Sequence, residues 1–176
     1  FRNPFANTEI FYDADIQIQG GTQQLRFTNI SPVFRSFNLT LGETIVNMDK
    51  LFGNTFLLSG KAGTEWSFGE SVDLELNAAF HHYFGLDNVA KANQKAHKNN
   101  EPWIFSSNPF TNRLTTDNFK SGFSILNGFG KLTFHLTPDF PLSLFGDYLF
   151  NVGAADKNQG FLAGIRLGNN QKPGNW

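Results

Sequence analysis

The sequence predicts an all-β fold, an antiparallel transmembrane β-barrel with about eight strands visible. Three observations predict it. First, in SVDLELNAAFHHYF, residues 71–84, Val72, Leu74, Leu76, Ala78, Phe80 and Phe84 alternate with Asp73, Glu75, Asn77, His81 and Tyr83. A strand has a side-chain period of two, so apolar groups fall on one face and polar groups on the other. Second, the stretch is much longer than the roughly 5–6 residues of a soluble strand, and long enough for the roughly 9–11 that cross a bilayer at a tilt. Third, the composition has 21 Phe and 17 Gly beside one Met, no Cys and 16% charged residues, which favours strands over helices. No apolar run approaches the roughly 18 residues of a membrane helix, which excludes a helical span but not a barrel strand.

The elements follow in order, by alternation and turn punctuation. A first strand is expected at 7–13, before a loop from Asp15 to Gly21. A second, 22–30, sets Leu25 and Phe27 against Arg26 and stops at Ser31-Pro32. In 34–46, Phe37, Leu39 and Leu41 oppose Asn38 and Thr40, and a loop from Asn47 to Gly53 follows. The next strand, 54–68, carries Phe56, Leu58, Ala62, Trp66 and Phe68 opposite Lys61 and Glu65, and turns at Gly69-Glu70 into 71–84. After a long excursion from Gly85 to about Ser121, strand 122–137 has Leu126, Leu132, Phe134 and Leu136 against Asn127, Lys131 and His135. Pro138-Asp139-Phe140-Pro141 turns it into 141–152, where Leu142, Leu144, Tyr148 and Phe150 oppose Asp147 and Asn151. Beyond the Gly153-to-Asn158 loop, 159–168 places Phe161, Ala163, Ile165 and Leu167 against Arg166, ahead of the stretch from Asn169 to Asn175.

Short and long connections alternate along this reading, as the two ends of an outer-membrane barrel do, with short turns periplasmic and long loops extracellular. The apolar face carries almost no charge. A basic side chain at mid-bilayer on a barrel's outer face costs about 2–4 kcal/mol, so an uncharged band is the expected outcome. Trp66, Phe68, Phe80, Phe134 and Tyr148 are expected at the lipid interface, where girdles of aromatic residues flank a barrel's apolar band. The bland alternative makes the same residues the core of a soluble sheet. Arg35 and Glu43 fall on the apolar parity, so they should lie at a rim or beside a bulge.

The opposite face collects Arg26, Lys61, Glu65, Asp73, Glu75, Asn77, His81, Lys131, His135, Asp147 and Arg166. Such a face cannot be buried dry without pairing, because each lone ion costs several kcal/mol. It therefore lines a solvated pore, or fills a small barrel with its own salt bridges. Its balanced signs predict no strong ion selectivity.

The net charge of −1 gives no basic footprint for nucleic acid, and zero Cys removes disulfides and thiolate metal sites. Phe1-Arg2-Asn3-Pro4 does not read as a signal peptide; either one was removed or the chain begins inside a longer protein. Chemistry-bearing residues are present, but none forms a convincing site. His81 and His82 point to opposite faces and cannot chelate one ion together; rim histidines are the simpler reading. Glu65, Asp73 and Glu75 could pair as in a glycosidase, but lumen acids facing Lys61 explain them more simply. Ser124 or Ser143 with His135 is a loose lipase candidate. Asp13 and Asp15 lack a calcium-loop motif. We therefore expect no enzyme activity, no metal and no cofactor. Residues 85–121 form a long extracellular loop, rich in Asn and Lys, with an aromatic patch at Trp103, Ile104, Phe105 and Phe110 and a helical turn or two within Val89 to Ala96. A pore-constricting loop and a phage or partner epitope are both open for it.

The two ends resemble a family. NPFANTEIFYDADI followed by Gly-Gly, and NVGAADKNQGFLAGIRLGNNQKPGNW, are similar to the porins of Gram-negative bacterial outer membranes. The matching residues are Asn3, Pro4, Phe5, Tyr12, Asp13 and Asp15, then Gly164, Ile165, Arg166, Leu167 and Gly168, and Lys172, Pro173, Gly174, Asn175 and Trp176. The resemblance implies passive diffusion of small polar solutes without a cofactor, in contact with outer-membrane lipid and lipopolysaccharide. It leaves a homo-oligomer open by analogy. It also implies that residues 1–176 are one segment of a larger barrel. The rival is a complete eight-stranded barrel with a structural or partner-binding role and no open pore, in which strands 7–13 and 159–168 pair and Lys61, Glu65, Asp73 and Arg166 form closed ion pairs.

Overall fold

The period-two segments become seven strands of one antiparallel sheet, hydrogen-bonded in strict sequence order. They are β1 (Gly20–Thr28), β2 (Phe34–Asp49), β3 (Gly53–Phe68), β4 (Val72–Phe84), β5 (Ser124–Thr137), β6 (Phe140–Asn151) and β7 (Gln159–Leu167). The computed structural model describes residues 4, 5, 7, 8, 19–49, 53–91, 119–137 and 140–168. Among these the sheet is an open meander with β1 and β7 at its edges, so the expected closed cylinder is not what the strands form. The expected first strand is also corrected. Asn7 and Thr8 form a bend, and 9–13 lie outside the described residues. The physical reason is visible in their side chains, which bond the face of the sheet and not a neighbouring strand edge.

The other boundaries hold to within a few residues. One prolonged pairing differs: β2 and β3 run on to Asp49↔Gly53, leaving only 50–52 where a longer loop is expected. The wide connections are therefore 85–123 and 152–158, and residues 86–91 of the first make a helical turn. Residues 92–118, including the aromatic patch, lie outside the described residues, as do Asp13, Asp15 and the stretch after Gly168. The Gly69-Glu70 hairpin turns on Gly69, whose φ of 68° suits a residue without Cβ.

Three irregularities interrupt the register: two bulges on β2, between Phe34 and Ser36 and between Ile45 and Asn47, and one on β5 between His135 and Thr137. The first resolves the misfit of Arg35. The extra residue lets its guanidinium cross to the polar face, where Nη2 donates to Ser67 Oγ at 3.2 Å. The second admits Val46 against a small cluster of Phe5, Leu57 and Tyr83. Glu43 has no such relief. It stays exposed on the apolar parity, paired in register with Leu58.

Burial is inverted relative to a soluble sheet. The side chains packed away from solvent are mostly polar, with Thr40 and Ser59 each 1% exposed and Asn77, Asn127 and Asp147 buried beside them. The large apolar side chains face outward, with Phe161 81% and Ile165 73% exposed. Folded monomers rarely expose so extended an apolar surface without something to cover it. The sheet is curved so that its edges converge on the polar side: Arg26 of β1 and Arg166 of β7 line one cleft. The polar face is thus concave and the apolar face convex.

Candidate functional site

The concave face is built row by row from the register. Arg26, Asn38, Gly63, Asn77, Phe129, Asp147 and Leu162 lie opposite one another across the seven strands. The next row toward the Gly69 hairpin aligns Ser36, Glu65, Glu75, Lys131 and Phe145, and the one beyond it Ser67, Asp73, Thr133, Ser143 and Arg166. In the other direction Thr40, Lys61, Ala79 and Asn127 align, then Gly42, Ser59, His81 and Ile125. His135 follows at the turn end of β5. All eleven polar residues singled out from alternation therefore share this face, because an unbroken period of two leaves them no other.

Their partners are specific. Glu65 and Glu75 face each other across β3 and β4 yet are drawn apart by different cations. Glu65 takes Arg26 at 3.3 Å and accepts Ser36 Oγ at 2.7 Å, while Glu75 takes Lys131 at 2.5 Å and accepts from Asn77 at 3.0 Å. Asp73 accepts from Ser67 Oγ and contacts His135 Nε2 at 2.7 Å. The direct partners of the acids are Arg26, Lys131 and His135, while Lys61, expected from sequence to face them, shares a cleft with Glu75 and acts on it through its charge. Lys61 is held elsewhere, its Nζ donating to Asn7 Oδ1 at 2.7 Å and to the Pro4 carbonyl at 3.3 Å.

The chain's own N-terminal segment occupies part of the concave face, and sequence reasoning missed it. Asn7 donates to Asn127 at 3.0 Å and accepts from Lys61 and from Asn77 at 3.3 Å, while Thr8 Oγ1 donates to Asp147 at 2.5 Å. Asp147 also accepts from Asn127. Phe5 is buried over Leu57, edge-on to His81 at 6.0 Å between ring centroids. Gly42 makes the seat: a Cβ there would lie 2.7 Å from the Phe5 ring. The only advance signal was an isolated Gly in the strand pattern of β2, which marks a close approach.

The two histidines separate as the alternation requires. His81 is buried on the concave side with Nδ1 2.8 Å from Ser59 Oγ, beneath Phe5 and not at a rim. His82 stands on the convex side, between the rings of Phe80 and Phe84, with Nδ1 2.7 Å from Ser124 Oγ. Ser124 and His135 therefore lie on opposite faces, and Ser143 bonds Thr133 at 2.9 Å. Among the described residues nothing orients the second nitrogen of His82, so the Ser124 contact lacks the third member of a hydrolytic triad.

The convex face carries the five aromatics selected from sequence. Phe68 and Phe134 flank Val72 in the row nearest the hairpin, and Trp66 stacks on Phe34 at 4.5 Å in the row above. Tyr148 and Phe80 lie toward the opposite end of their strands. Comparison with known proteins finds no matching family model, no matching curated protein and no matching solved structure.

Proposed function

We propose that this chain is wall of an outer-membrane channel of the porin kind, whose convex face meets lipid and whose concave face lines a water-filled path for small polar solutes. The observation that carries this is the inversion of burial: polar side chains inside, Leu, Ile and Phe outside. Five successive outward rows of β4, from Val72 through Leu74, Leu76 and Ala78 to Phe80, contain no charge, and neither do their partners on β3 and β5. That band runs roughly 27 Å along the strands at about 3.4 Å per residue, the right scale for an apolar belt about 25 Å tall around tilted strands. Beyond it the convex face turns polar at Glu43, His82 and Ser124, where a headgroup zone would begin.

In lipid an open sheet edge leaves backbone groups without partners, so this reading requires further strands joining β7 to β1. The second reading is a small barrel with a structural role and no open path. It is favoured by the N-terminal segment on the concave face and by the Arg26–Glu65 and Lys131–Glu75 ion pairs there. Reconstitution of the intact protein in planar bilayers separates the two. Stepwise conductance is expected of the channel, and a silent but correctly inserted protein would leave only the structural reading.

A further inference from the structure

Charge on the concave face is balanced as a whole but not along it. A cleft of about 760 Å³ is lined by Arg26, Lys61, Lys131 and Arg166 against a single acid, Glu75. A smaller cleft of about 310 Å³ toward the hairpin end holds Glu65 and Asp73 and shares Glu75, so that acids there outnumber Arg35 and Lys131. The Glu75–Lys131 pair borders both. Asp147 does not line the larger cleft; buried and held by the neutral Asn127 and Thr8, it reduces the positive surplus by one charge, and with Glu75 matched to Lys131 the bases still outnumber the acids.

We propose that the larger cleft is a binding site for small oxyanions, carboxylates or phosphate esters, with Arg166 as its anchor. Arg26 and Lys131 spend part of their charge on Glu65 and Glu75. Arg166 makes no ion pair or hydrogen bond among the described residues, and stands across the cleft from Arg26. A guanidinium presents a planar fork of donors that matches carboxylate and phosphate oxygens. A recess lined by one sign of charge also concentrates the opposite sign, which in a channel becomes a preference for anions over cations. The volume is ample for a small-molecule oxyanion, and Asn7, Gln24 and Ser143 supply neutral polar groups for its hydroxyls. The effect on permeation rests on the channel reading; the binding does not.

The test is calorimetry on the intact protein in detergent, with citrate and inorganic phosphate as separate probes, followed by reversal potentials in bilayers under a KCl gradient. Citrate, phosphate or both should bind, the probe that binds naming the oxyanion. R166Q should weaken that binding by about tenfold, as loss of one charged fork does, and should lower the chloride-to-potassium permeability ratio. E43Q, on the convex face, serves as the control and should change neither. Binding of neither probe, or equal binding by R166Q and the parent, overturns the site. Conductance that prefers potassium overturns the predicted anion preference. Oxyanion binding in a protein that never conducts retains the site and removes the channel.

Discussion

Leu39 and Thr40 are adjacent in the chain, and Thr40 is sealed inside while Leu39 faces out with the apolar set. The convex and concave faces share one backbone ladder but differ in how their side chains are stabilised. On the concave side many polar side chains have a specific partner, as from Ser36 through Glu65 to Arg26 and from Glu75 to Lys131, with Arg166 an exception among the described residues. On the convex side the contacts are few and of aromatic or aliphatic type, such as Phe27 on Phe37 at 6.4 Å. The difference teaches that folding this sheet does not depend on hiding its apolar groups behind its own chain. It depends on satisfying the polar ones, and leaves the apolar face uncovered among the described residues.

Substitutions that exchange the two environments should break this comparison most severely. L76R, in the middle of the convex band, is expected to lose about 2–4 kcal/mol of stability in a bilayer, measured by denaturant titration in phospholipid vesicles. Q24R, on the exposed edge of the concave face, should lose much less; equal losses would mean that the convex face does not meet lipid. Next in size is Asp147→Ala, which removes the buried acceptor shared by Asn127 and Thr8. It should cost roughly 1–3 kcal/mol, the usual loss when buried polar groups are left unpaired, with the same titration as readout.

Gly42→Val probes the seat of the N-terminal segment. The added methyls collide with Phe5, so the segment should leave the concave face, at a local cost of about 1–3 kcal/mol for overpacking. In bilayers the unit conductance should rise, and F5A should act in the same direction. An unchanged conductance in both variants would separate the segment from the permeation path. The smallest effect is expected from Arg26→Gln. The Arg26–Glu65 pair is 53% and 44% exposed, so its loss should cost less than about 1 kcal/mol, and a larger value would mean that the pair is shielded by parts of the protein beyond β1.

Much of the sheet was legible in the sequence, for a reason that is local. From Val72 to Phe84 each residue's face follows from its neighbour's, and a slip by one would turn Asp73 and Glu75 outward together with every other side chain. Arg35 was legible as an exception and as a bulge, since a charge on the wrong parity needs one. The N-terminal segment was not. Its alternation resembles a strand, and only the distant partners Lys61, Asn77, Asn127 and Asp147 draw Asn7 and Thr8 onto the face of the sheet. Nor could spacing reveal that Lys61 turns to Asn7 while Arg26 takes Glu65, because cross-strand and diagonal partners are chosen by register and reach.

By itself the sequence determined the strands, their two-faced character and the membership of each face, because a period of two is a property of consecutive residues. The tertiary structure alone decided that the sheet is open among the described residues, that Phe5 sits in the seat left by Gly42, and that bases outnumber acids in one cleft while acids outnumber bases toward the hairpin. Those outcomes depend on curvature and on contacts between residues far apart in the chain, and no local pattern encodes them.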